Sequence, residues 1–147
     1  VSWPVGIGSK GNAGVAGAIR NNVGAIGYVN QSYVKGEVVA AALQNKSGEF
    51  IKPSVESGAL ALNGISLDEN LAGTDPNPTA EGAYSIATLT WVLAYETGNG
   101  RKTEAIKTTL SRLLSTEYQE KASKLGYVPL RGDILQKARD AVEKITI

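Results

Sequence analysis

Trp3-Pro4-Val5-Gly6-Ile7-Gly8-Ser9-Lys10-Gly11-Asn12-Ala13-Gly14-Val15, running on to Gly24-Ala25-Ile26-Gly27-Tyr28-Val29, is the stretch from which the architecture is read. A glycine-rich turn leads into a short helix, and a second turn leads into a strand. Asn12 is a good N-cap, so the spacing predicts a helix over 13–21 with Val15, Ala16 and Ile19 on one face. Gly14 and Gly17 would let that helix lie close to a neighbour, although glycine inside a helix costs about 1 kcal/mol. Residues 25–29 read as a short buried strand. The order serves two ends. A helix start presents free backbone N–H groups and a positive dipole end to an anion. The same residues equally serve to pack a helix on a sheet.

Outward from this block, helix and strand signals alternate. Residues 31–35 read as a helical turn and 38–44 as a strand. Asn45-Lys46-Ser47-Gly48 is a turn before a second extended piece over 49–52. Pro53 can open a helix that carries Val55, Ala59 and Leu62 on one side. Residues 63–83 change character: Asn, Asp, Gly, Pro and Thr dominate, with Asp75-Pro76-Asn77-Pro78-Thr79 at the centre. This is a surface loop or crossing segment. The run over 86–95, rich in Thr, Val, Leu and Trp, is the best strand by composition. Three helices follow, over 102–114, 116–125 and 133–145, the second ended by Gly126. Asp133 with Lys137, and Asp140 with Lys144, are i,i+4 pairs worth a few tenths of a kcal/mol each. Alternation of this kind reads as α/β.

The pattern W-P-x-G-x-G-x-K-G-N-x-G-V-A closely resembles the periplasmic phosphate-binding protein family of high-affinity phosphate ABC transporters. Gly24 to Val29, Tyr84-Ser85-Ile86 with the apolar run from Leu89 to Tyr95, and Gly126-Tyr127-Val128-Pro129-Leu130 resemble the same family, in the same order. Arg131 stands where the family often has a second proline. The resemblance implies part of a two-lobe periplasmic-binding-protein fold of type II, each lobe incomplete in this chain. Residues 1–82 would be the C-terminal part of the second lobe, with a polar crossing loop at about 63–82. Residues 83–147 would be the C-terminal part of the first lobe. The family holds phosphate mainly through an early turn and helix start, an Asp, and an Arg followed closely by Ser-Gly-Thr. None of Arg20, Arg101, Arg112, Arg131 and Arg139 is followed in that way. The chain therefore looks like the C-terminal half of such a protein, with the main phosphate ligands expected upstream and absent. Ser9, Lys10, Gly11 and Asn12 remain as weak phosphate-binding candidates.

A chain of 147 residues fits one ordinary domain. A net charge of +1 gives no broad field for nucleic acid or an anionic membrane. Cysteine and histidine are both absent, which removes disulfides, thiol chemistry, and the commonest general base and zinc ligand. No apolar run is long enough to span a bilayer, and no signal peptide is visible. The chain opens on Val1 without methionine, which fits a processed, truncated or engineered product.

Each candidate site has a plainer reading beside it. Gly6 to Asn12 is not a Walker A loop, and no adequate strand precedes its literal G-x-G-x-x-G spacing. Its plain reading is a helix N-terminus whose glycines permit tight packing, with Lys10 adding to the local field. Trp3 and Trp91 read as core residues. Asp68, Glu69 and Asp75 lack EF-hand spacing and read as a solvated loop. Tyr127 and Pro129 read as a clamp on the last helix, and Arg131 as a surface charge. Arg101, Lys102 and Lys107 read as a solvated helix face, the rival being a docking surface for transporter membrane subunits.

The expected function is non-catalytic: a portion of a solute-binding protein that captures inorganic phosphate for an ABC transporter, in the periplasm or cell envelope, with no cofactor and no metal. The partners implied are inorganic phosphate, the transporter's membrane subunits, and either the missing N-terminal half as a separate chain or a swapped homo-oligomer. Two alternatives stay open. One is a structural or oligomerising fragment with no ligand of its own. The other is an enzyme acting on a phosphorylated substrate, for which Ser9, Lys10, Tyr28 and scattered carboxylates would have to supply the chemistry.

Overall fold

The computed structural model describes residues 4–147, and the chain divides into two units, Val1–Ala41 and Ala42–Ile147. In the first, helix α1 spans Gly11–Asn21 and Gln31–Tyr33 form a single 3₁₀ turn. The helix opens on Gly11 at φ +63°, a left-handed conformation that costs glycine little and other residues more. Its inward face is the one the sequence indicates. Ala16 is buried, and the Val15 and Ile19 side chains press on the backbone at Gly27, where an added Cβ would lie 3.1 and 3.0 Å from them. Gly14 lies against the Ser9 backbone, whereas Gly17 faces open space, so only Gly14 serves close approach.

The second unit begins with a minimal antiparallel hairpin. β1 (Leu43–Gln44) pairs with β2 (Phe50–Ile51), Leu43 opposite Ile51. The turn between them is built on Asn45, whose side chain is buried. Its Oδ1 accepts from the Glu49 N–H (3.0 Å) and the Ser47 hydroxyl (2.8 Å), and its Nδ2 donates to the Ala83 carbonyl (3.3 Å). The Glu49 carboxylate accepts from the Gly82 N–H at 2.9 Å. A turn local in sequence is thereby bonded to the far end of the polar loop.

Helix α2 (Val55–Leu62) follows, capped not by Pro53 but by Ser54. Ser54 Oγ accepts the Ser57 N–H at 3.0 Å, and Ser57 Oγ accepts the Ser54 N–H at 2.8 Å, a reciprocal capping box. Ala61, Leu62, Ile65, Pro78 and Ala83 are buried around it. An added Cβ on Gly58 would lie 2.6 Å from Val128 Cγ2, so the 126–130 segment meets α2 through Val128, and Pro129 beside it is buried. Tyr127 remains 46% exposed.

Helices α3 (Thr103–Leu113), α4 (Thr116–Lys124) and α5 (Gly132–Glu143) fall within two residues of their expected bounds. Arg139 donates Nε and Nη2 to the Leu114 carbonyl (3.2 and 2.8 Å), and Lys107 donates Nζ to the Glu143 carbonyl (3.1 Å). Each cation sits on the C-terminal carbonyls of the opposite helix, where the dipole favours it. The expected Asp133–Lys137 and Asp140–Lys144 pairs do not form among the described residues; Asp140 accepts from Gln136 instead (2.8 Å).

The strands depart most from expectation. Residues 25–29 form no ladder, and Ile26 and Tyr28 are 97% and 89% exposed. Of 38–44 only Leu43 and Gln44 pair, and of 49–52 only Phe50 and Ile51. The run 86–95 is irregular, with Leu93 95% exposed. A strand needs a partner backbone, and among the described residues these segments have none.

An added Cβ on Gly73 would fall 2.2 Å from the Ser66 carbonyl oxygen, so Gly73→Ala should lower stability by about 1–3 kcal/mol in urea unfolding. The Gly82 N–H, then Asn45 and Ser47, hold the Glu49 carboxyl below its ordinary value of 4.5. That contribution is present above pH 4.5 and is lost as pH falls through the lowered value. Wild type should therefore lose more stability than Glu49→Gln on acidification below pH 4.5, measured by urea midpoints across pH.

Candidate functional site

The four residues singled out in sequence, Ser9, Lys10, Gly11 and Asn12, form the start of α1. Lys10 and Gly11 are exposed; Ser9 and Asn12 are half-buried. Lys10 occupies the N-cap position with extended backbone and makes no side-chain cap bond. Asn12 is not the N-cap. Its Oδ1 accepts the Asn30 N–H at 2.8 Å and ties the helix to the segment after the 25–29 run. Asn12 is thus spent on holding its own unit together. What remains is an uncapped helix end with no acidic residue in its first turn and one cation beside it. That arrangement tolerates an anion, but it offers no enclosed shell of donors.

Among the described residues no hydrogen bond joins Ser9, Lys10 and Tyr28, and the Tyr28 ring is exposed. In the polar loop, Asp68 Oδ1 accepts from the Asn70 and Ala72 N–H groups (both 2.9 Å), and Asp75 Oδ1 accepts from Asn77 (3.3 Å). These carboxylates shape turns. Among the described residues no three acidic, His or Cys side chains cluster for a metal.

The basic set divides. Arg101 and Lys102 are exposed, whereas Lys107 is engaged with Glu143. Arg131 is exposed, as its sequence suggests. Trp91 is not a core residue: it is 43% exposed, and its Nε1 donates to the Leu71 carbonyl at 2.7 Å. Trp3 lies outside the described residues. An open groove of about 480 Å³ runs between 92–95 and α3, lined by Val92, Leu93, Tyr95, Ile106 and Leu110 with Lys102 beside them. It is apolar and suits no small anion.

Sequence reasoning missed Asn45 and Ser57 as organising residues. The N-x-S-x-E order across a turn and the S-x-x-S order at a helix start were the available signals.

No protein-family model matches the chain. Curated proteins do. The phosphate-binding protein PstS of Xylella fastidiosa is 32% identical over 142 residues, covering 93% of this chain and 38% of that protein. The relationship is thus carried along almost the whole chain rather than by one motif. The chain is related to the phosphate-binding proteins. The PstS of Pasteurella multocida is 33% identical over 143 residues, with 93% of this chain and 41% of the relative covered. That of the archaeon Methanocaldococcus jannaschii is 29% identical over 170 residues, with 99% and 42% covered. The chain spans about two fifths of the length of the curated relatives it matches.

Proposed function

We propose that this chain is the C-terminal portion of a solute-binding protein that captures inorganic phosphate and delivers it to an ABC transporter. The single observation that carries the reading is identity near one third, spread over nine tenths of the chain, with proteins named for phosphate binding. On this reading the work is done in the periplasm or cell envelope and involves no catalysis. Residues 1–82 belong to the second lobe, with 63–82 crossing between lobes, and 83–147 return to the first. The partners are the transporter's membrane subunits and the remainder of the two-lobe fold. Selective capture needs a dehydrated phosphate surrounded by N–H and O–H donors, with an Arg contact and lobe closure. The α1 start supplies one uncapped helix end and Lys10, far short of that shell. Ser9, Lys10, Gly11 and Asn12 therefore border the cleft, and the main ligands lie in the part of the relatives that this chain does not cover.

The exposure of strand-type segments supports the same reading. Ile26, Tyr28, Val39, Ile86, Leu93 and Tyr95 are all at least 70% exposed. Apolar residues in such numbers ordinarily lie against another layer.

Calorimetric titration of inorganic phosphate into the purified chain at neutral pH should show no binding at micromolar concentrations. A Kd of about 1 μM or tighter would contradict the assignment of the main ligands elsewhere. Turnover of a phosphoester that is lost in Lys10→Gln would instead favour an enzyme.

A further inference from the structure

We propose that Trp91 and the loop around Leu71 form a conformational latch that fastens the polar loop to the 86–95 run. The loop half is prebuilt. The Asp68 N–H donates to the Ala72 carbonyl (2.9 Å) and the Leu71 N–H to the Asp68 carbonyl (3.1 Å). Asp68 Oδ1 takes the Asn70 and Ala72 N–H groups. This closure puts Leu71 at φ +59°, the one non-glycine positive φ among the described residues. A side-chain-bearing residue is disfavoured there, so the turn is held by its surrounding bonds.

The other half is the indole. Trp91 Nε1 donates to the Leu71 carbonyl at 2.7 Å, across twenty residues of sequence. Among the described residues, no backbone–backbone hydrogen bond involves 86–95. The run is fixed near its ends, where Ser85 Oγ donates to the Gln44 carbonyl (3.1 Å) and the Thr146 N–H donates to the Glu96 carbonyl (2.7 Å). Between those points, among the described residues, the Trp91–Leu71 bond is its one hydrogen bond to a segment more than four residues away. The bond is half-exposed and single, so it opens locally without unfolding the helices. Closed, it sets the conformation of the polar loop. Its consequence for lobe movement rests on the phosphate-binding reading, in which that loop crosses between lobes; the latch itself does not.

Hydrogen exchange followed by mass spectrometry tests the latch without phosphate, so its failure is distinct from a failure of the functional reading. Trp91→Phe keeps the ring and removes the donor. Exchange should rise about tenfold in the peptide covering 66–74 and stay unchanged in α3 and α5. Unchanged exchange at 66–74, or an equal rise everywhere, overturns the proposal. Asp68→Ala provides a second reading from the other side. In a Trp3→Phe background Trp91 is the sole indole, and Asp68→Ala should red-shift its emission and raise its quenching by acrylamide while helix content is kept. Emission and quenching at wild-type values would equally overturn the latch.

Discussion

Every buried backbone N–H and C=O needs a partner, and this one constraint accounts for how the molecule is put together. Helices satisfy it internally, so α1 to α5 form where the apolar spacing is periodic, with a side-chain cap only at α2 and α4. Strands satisfy it only against another strand. Among the described residues a pair of two-residue strands manages that, and the longer strand-type runs are left irregular with many of their apolar side chains exposed, Ile26, Tyr28, Val39 and Leu93 among them. The second unit compensates with side chains. Asn45, Glu49 and Ser57 carry hydrogen bonds that join the hairpin, the polar loop and α2. Trp91 does the same for the 86–95 run.

On the proposed reading, the unpaired strand-type runs and the kinship with phosphate-binding proteins have one cause. On that reading, a sheet in a two-lobe binding protein draws strands from distant parts of the chain, so strand-type runs in a stretch spanning about two fifths of the relatives' length would pair with segments outside that stretch. The helical parts depend less on distant sequence. α3 and α5 hold each other through Lys107 and Arg139 on one another's terminal carbonyls. The phosphate shell follows the same logic. On the proposed reading that shell is assembled from several segments, to which the α1 start contributes an open helix end.

Legibility in the sequence tracked locality. The three late helices were readable to within two residues because the apolar spacing and Gly126 lie within or beside the helices they define. The α1 face was readable through Val15, Ala16 and Ile19. Asn12 was misread because its partner, Asn30, lies eighteen residues away and no local pattern distinguishes it from an N-cap. Trp91 was misread as core because bulk suggests burial, while its indole N–H is directed at a loop carbonyl. The 86–95 run has strand composition, but pairing is a property of a partner that its own sequence does not contain.

The most direct measurement of this account is amide hydrogen exchange along 86–95 in the isolated chain. Without a ladder partner, these amides should exchange close to the rate of an unstructured peptide while α3 and α5 are protected. Protection of the run by a factor of about 1000 would show that it is paired in a sheet, and would contradict the view that this chain holds strand sequences whose partners lie elsewhere.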